Sequence, residues 1–109
     1  MHFHLVTLFP KAFDSYFGES ILKRALEDKK IKVSFYNPRD FVENKWKRVD
    51  RPPYGGGPGL VIEALPVIKA IEAAKKKAKG TTKIIFLSPR GKQFTNEYAT
   101  KTAKKFKNI

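Results

Sequence analysis

The sequence predicts an α/β fold built on a parallel sheet, and three observations predict it. Apolar runs rich in β-branched and aromatic residues alternate along the chain with stretches of helical spacing. That is the pattern of βαβ units joined by right-handed crossovers. The run Lys83-Ile84-Ile85-Phe86-Leu87 is continuously apolar after its first residue, as parallel strands covered on both faces are. A chain of 109 residues with 41% hydrophobic and 13% aromatic content has the size of one domain with a modest core.

Residues 2–9 (HFHLVTLF) read as a buried strand. Pro10 then suits a first helical turn, and residues 11–17 form a short helix with Phe13 and Phe17 four apart on one face. Gly18 ends it. Ser20 is placed to cap a second helix over residues 21–28, with Ile21, Leu22, Ala25 and Leu26 as its apolar stripe. Residues 31–36 alternate, with Ile31, Val33 and Phe35 on one side, so this strand is half-buried and near a sheet edge.

Leu60-Val61-Ile62 is a short extended run. Pro66 opens a helix to about Lys79 whose buried stripe is Val67, Ile71, Ala74 and Ala78, and Gly80 stops it. Ser88-Pro89-Arg90-Gly91 ends the apolar run 83–87. Thr95 caps a last helix to about Phe106, with Phe94 and Ala99 spaced as a hydrophobic staple.

Between residues 37 and 59 no periodicity is visible, and a loop of that length inside a compact domain is usually functional. Within it, Arg51-Pro52-Pro53-Tyr54-Gly55-Gly56-Gly57-Pro58-Gly59 holds four of the seven glycines. Proline stiffens such a segment and glycine frees it, so it is a shaped loop rather than helix or central strand. It is neither a Walker A phosphate loop nor a dinucleotide fingerprint, because the glycine spacings are wrong for both.

Charge is the strongest compositional signal. Lys+Arg 23 against Asp+Glu 10 gives +13, a balance that favours a polyanionic partner such as RNA or DNA. Lysines on the helix faces read as solvated surface. Lys45, Lys47, Arg48 and Arg51 differ, because Trp46 and Tyr54 are interleaved with them. Phosphate contact combined with base stacking needs that mixture.

The absence of cysteine excludes disulfides and thiolate metal sites. His2 and His4, two apart on one strand face, read as strand surface rather than as a metal site. No apolar run approaches transmembrane length and no signal-peptide pattern opens the chain, so a soluble cytoplasmic protein is expected.

Four stretches together carry a family resemblance. They are Thr7-Leu8-Phe9-Pro10 with Phe13, Asn37-Pro38-Arg39-Asp40-Phe41, residues 49–59 around the glycines, and Phe86-Leu87-Ser88-Pro89-Arg90-Gly91-Lys92. In that order and spacing they resemble the bacterial tRNA (guanine-N1)-methyltransferases, the TrmD family of the SPOUT class. The resemblance covers essentially the whole chain, with Pro53 as a local departure where the family often has Arg.

The family's domain continues into a further strand, loops closing a trefoil knot and a helical C-terminal domain. The resemblance therefore implies that residues 1–109 are one partial domain, the N-terminal portion of the catalytic, cofactor-binding domain of an α/β-knot methyltransferase, without the knot-forming segment. It implies methyl transfer from S-adenosylmethionine to guanine N1 in tRNA, at the base immediately 3′ of the anticodon, by a homodimer.

By resemblance, Leu87, Ser88, Pro89 and Gly91 form one wall of the cofactor pocket, and Pro58 and Gly59 border the cofactor and the target guanine. The two turns are then expected close together at the carboxyl edge of the sheet, where α/β folds bind ligands. The family's catalytic aspartate and its arginine partner fall outside this chain, so the chain alone is expected to be inactive. Two other readings stay open on the residues: an RNA-binding module without catalysis, and an inert scaffold fragment.

Overall fold

The structure, a computed structural model, describes residues 1–109. At its centre β1 (His2–Val6) pairs in parallel with β2 (Lys32–Tyr36), His2 opposite Lys32 and Val6 opposite Tyr36. Side chains alternate across a pleated strand. His2, His4 and Val6 therefore share one face with Lys32, Ser34 and Tyr36, and Phe3 and Leu5 share the other with Val33 and Phe35.

The crossover between the strands carries a 3-10 turn (Pro10–Phe13), α1 (Asp14–Phe17) and α2 (Ser20–Glu27). Phe13 and Phe17 lie against Phe35, ring centroids 5.5 and 6.3 Å away, so the crossover packs on the Phe35 face and covers it in part, Phe35 staying 38% exposed. The other face takes α3 (Ala64–Lys77): Tyr36, Ala70 and Ala74 are buried together, with Val6, Phe41 and Ala73 packed around them. Helices on both faces of a parallel sheet are the α/β arrangement that the sequence predicts.

Two features differ from expectation. Ser20 does not cap α2. It lies inside the helix at φ +49°, Glu19 holds the cap position, and no side chain bonds the first turn. A cap needs extended backbone at its own position, and a left-handed φ denies it. The buried stripe of α3 includes Ala74 as expected but runs through Pro66 and Ala70 instead of Val67 and Ile71. Pro66, Ala70 and Ala74 are buried, whereas Val67, Ile71 and Ala78 are half-buried.

The larger correction concerns residues 83–87, which form no regular strand. The sheet does extend on that side of β1, through the last residues of the chain. His2 N donates to Lys107 O (2.9 Å), Ile109 N to His2 O (3.0 Å) and His4 N to Ile109 O (2.7 Å). On its far side Asn108 N donates to Thr81 O and accepts at its own carbonyl from Lys83 N, both at 3.0 Å. Both bridges are parallel, giving the order β2, β1, residues 107–109, residues 81–83. Beyond Lys83 no parallel neighbour runs alongside, so Phe86 and Leu87 are 83% and 82% exposed rather than covered on both faces.

The long loop contains more order than its sequence shows. Asn37 Oδ1 accepts from Arg39 N (3.0 Å) and caps a 3-10 turn over Pro38–Phe41. β3 (Asp50–Arg51) pairs antiparallel with β4 (Val61–Ile62), so the glycine-rich stretch is the tip of a hairpin. Val49, 1% exposed, anchors its base, where Glu63 N donates to Val49 O at 2.7 Å. The last helix, α4 (Asn96–Lys105), starts as expected: Thr95 Oγ1 accepts from Tyr98 N at 3.2 Å. Phe94 packs edge-on against Tyr98, ring centroids 5.4 Å apart.

Candidate functional site

The basic loop and the hairpin form one surface. Asn44 shapes it: its Oδ1 accepts from Arg48 N (2.8 Å) while its Nδ2 donates to Arg48 O (2.9 Å). Lys47 N donates to Asn44 O (3.0 Å), and Arg39 Nη1 donates to Lys47 O (3.1 Å). These bonds hold Lys47 at φ +48°, a conformation that costs a non-glycine residue about 1–2 kcal/mol. A tight turn results, with Lys45, Trp46, Lys47 and Arg48 all exposed. Lys45 Nζ sits 5.5 Å from the Trp46 ring, and none of Lys45, Lys47 and Arg48 is in an ion pair.

Arg51 is engaged differently from these three. Its guanidinium pairs with Glu63, across the two strands of the hairpin. Its charge is partly spent as a tie between β3 and the start of α3. Tyr54 stands fully in solvent at the tip. A cavity of about 290 Å³ lies at the hairpin base, lined by Trp46, Arg48, Arg51, Asp50 and Glu63 among others. An aromatic plane beside guanidinium donors and carboxylate acceptors can hold a planar group that carries both donors and acceptors.

At the tip, Gly55, Gly56, Gly57 and Gly59 have φ of 87°, 82°, 109° and 95°. A Cβ at Gly59 would meet nothing within 4 Å, so that backbone face is open to an incoming group. The second turn, Ser88 to Gly91, is closed by its own bonds: Gly91 N donates to Ser88 O (2.9 Å) and Arg90 N to Ser88 Oγ (3.3 Å). Leu87, Ser88, Pro89 and Gly91 are exposed, as are Pro58 and Gly59. Neither the hairpin-base cavity nor the groove at the amino-terminal ends of β1 and β2 is lined by these six residues.

On the α3 face of the sheet the two histidines join a polar network. His2 Nε2 and Ser34 Oγ share a hydrogen bond of 2.8 Å, and His4 Nδ1 and Tyr36 Oη share one of 3.0 Å. The rings of His2 and His4 are 3.8 Å apart, and His4 Nε2 lies 3.4 Å from Asn108 Oδ1. Burial, helped by the positive charges of His4, Lys32 and the α-amino group, holds the His2 imidazole below its ordinary pKa of 6.5. Burial raises the Tyr36 phenol above its ordinary value of 10.0.

Asn44, Arg39 and Glu63 are absent from the sequence reading of the site. An Asn four residues before an Arg is too common a pairing to signal a turn, and the partner of Arg51 becomes visible only once the hairpin register is known.

Comparison with known proteins places the whole chain. Residues 1–109 match the family profile described as tRNA (Guanine-1)-methyltransferase TrmD. A tRNA (guanine-N(1)-)-methyltransferase of Caldanaerobacter subterraneus is 48% identical over 95% of the chain, which covers 42% of that relative. Its counterpart in Pseudoalteromonas atlantica is 46% identical over 85% of the chain, covering 35% of the relative. The crystal structure of the tRNA (m1G37) methyltransferase from Aquifex aeolicus superposes on the whole chain with TM-score 0.77 at 26% identity, the chain covering 48% of it. The chain thus spans less than half the length of these relatives.

Proposed function

The chain belongs to the tRNA (guanine-1)-methyltransferase TrmD family, and on that premise we propose that it is the N-terminal portion of the catalytic, cofactor-binding domain of such an enzyme. The reaction is methyl transfer from S-adenosylmethionine to guanine N1 beside the tRNA anticodon, in the cytoplasm, by a homodimer. The observation that carries the reading is the match over all of residues 1–109, which includes both open turns and the basic loop.

The residues present suit one wall of a cofactor site. Leu87 and Pro89 offer exposed apolar surface, and the bare backbone at Gly59 allows close approach. S-adenosylmethionine supplies an electrophilic sulfonium methyl group. This chain's own part is binding and orientation. The Ser88–Gly91 turn, fixed by its internal bonds, borders the cofactor. The Pro58–Gly59 corner borders cofactor and guanine, and Lys45, Lys47 and Arg48 hold RNA phosphates while Tyr54 and Trp46 offer stacking faces. Arg51 holds the hairpin and adds its charge to that field. The proton on guanine N1 goes to a carboxylate outside residues 1–109, since Asp40 and Asp50 belong to other motifs.

Methyl incorporation into unmodified tRNA and calorimetric titration with S-adenosylmethionine test this reading. A protein carrying these residues at the full length of its relatives is expected to methylate guanine N1, and residues 1–109 alone to do neither. Failure of the full-length protein to methylate overturns the assignment. Turnover by the purified 109-residue chain overturns the division of labour. The unpaired cations of the 45–48 turn favour a second reading for the chain alone, RNA binding without catalysis, which salt-dependent tRNA affinity would reveal.

A further inference from the structure

Another cavity shares no lining residue with either turn. It is a groove of about 860 Å³ at the amino-terminal ends of β1 and β2, walled by the carboxyl ends of α3 and α4. Lys29, Lys32, Lys77, Lys79, Lys107 and the α-amino group of Met1 surround it, and no carboxylate lines it. None of these five lysines is in an ion pair. Lys77 Nζ lies 5.6 Å from the centroid of the Tyr36 ring, within cation–π range.

The floor is polar and hydrogen-bonded. Asn108, 3% exposed, donates to Lys79 O (3.0 Å), and His2 is bound to Ser34. The depressed basicity of His2 reflects in part the same positive field, through Lys32 and the α-amino group.

We propose that this groove is a second contact for the phosphodiester backbone of RNA, at the end of the sheet opposite the Ser88–Gly91 turn. Six concentrated positive charges facing one concavity repel each other, and a polyanion relieves that repulsion with release of counterions. The chemistry favours a backbone over a small free phosphate. Built sites for one phosphate use helix N-termini or arginine forks. Here both helices present their carboxyl ends, and every cationic side chain is a lysine, a hydrated point charge suited to diffuse contact. The proposal rests on the reading above only in taking RNA as the polyanion.

The test is fluorescence anisotropy of labelled, unmodified tRNA across a salt series, with a protein carrying these residues at the full length of its relatives. The triple variant Lys29→Gln/Lys79→Gln/Lys107→Gln keeps most of each side-chain stem and removes three charges. Its salt slope is expected to fall by about 2 to 3, at roughly 0.7–0.9 for each phosphate no longer neutralised, with affinity at low salt down about tenfold or more. The corresponding triple Lys→Arg variant should restore both, and single Gln variants, each lowering the slope by about one, serve if the triple variant melts early.

Unchanged slope and affinity overturn the proposal. If a Lys47→Ala/Arg48→Ala variant then weakens binding, the RNA reading of the loop survives and the groove is solvated surface. If neither variant weakens binding, both readings fail. Inorganic tripolyphosphate is the second probe: tight binding that the triple Gln substitution abolishes, with tRNA affinity intact, marks a small-phosphate site and also overturns the proposal.

Discussion

Asn44 carries no charge, yet both hydrogen bonds of its side chain close on the backbone of Arg48. Replacing it by alanine leaves every cation of the turn in place and removes its shape. Exposed hydrogen bonds of this kind are worth about 1 kcal/mol together, so Asn44→Ala should weaken tRNA binding about fivefold with little change in melting temperature. Anisotropy and a thermal melt on the same sample check both halves. Unchanged affinity would mean that charge alone, without geometry, serves the contact.

His2 makes stability depend on pH. Its folded pKa lies below the ordinary 6.5, so the fold favours the neutral ring. The unfolded chain then binds more protons as pH falls below 6.5. Stability is fully present above that value and is lost as pH drops through the folded pKa. The melting temperature of the protein should fall on acidification below pH 6.5, and His2→Gln should flatten that part of the profile. A profile that keeps its slope in the variant would assign the titration elsewhere.

Among the elements, most of the fold could be read in advance, because strand and helix periodicities are local. β1, β2, α3 and α4 sit within a few residues of their expected bounds, and the edge position of β2 follows from its alternation. What could not be read depends on partners distant in sequence. Residues 83–87 have strand composition, but a strand exists only where a neighbour accepts its amides, and after the Lys83 N–Asn108 O bond this stretch has no ladder partner. Ala70, fully buried on Tyr36, was hidden behind Val67 and Ile71 because close helix–sheet approach selects small side chains that hydropathy ranks low. The candidate site divides in the same way. The cations and aromatics of the loop were legible as residue types, whereas the Asn44 bonds and the Arg51–Glu63 tie needed the register.

The joint between α3 and the outer sheet residues is tested by one glycine. Gly80 has φ +98°, and a Cβ there would lie 3.2 Å from Lys107 Cδ, the far part of a flexible side chain. Lys107 can swing aside, so strain dominates, and Gly80→Ala should cost about 1–2 kcal/mol. Chemical denaturation measures it. A neutral result would show that residues 79–81 relax without disturbing the Thr81–Asn108 bonds.

Taken over all 109 residues, the core is thin. Eight of 109 residues are buried, and Val49 is the one large side chain fully enclosed. The radius of gyration, 16.1 Å, exceeds the ~13 Å expected of a compact chain of this length, as the 47 × 30 × 27 Å extents reflect. Ile84, Phe86, Leu87 and Phe94 stand exposed around the unpaired stretch after Lys83. Unpaired strand edges with apolar side chains associate. The isolated chain should therefore sediment as a concentration-dependent mixture of monomer and larger species, and Phe86→Lys/Leu87→Lys should shift it toward monomer. A monomer at all concentrations in ultracentrifugation would show that this edge is harmless.

The pairing of His2 with Lys107 and Ile109 sets an order of events during synthesis. Residue 2 must wait for residues 107–109. At ~5–20 residues per second, the ribosome takes several seconds or more to deliver its partner. Through that interval β1 can zip to β2, yet its other side stays bare. Nascent chains on one polysome would then carry the same unsatisfied edge side by side. The gap between translation of β1 and translation of residues 107–109 is when this sequence most needs a chaperone.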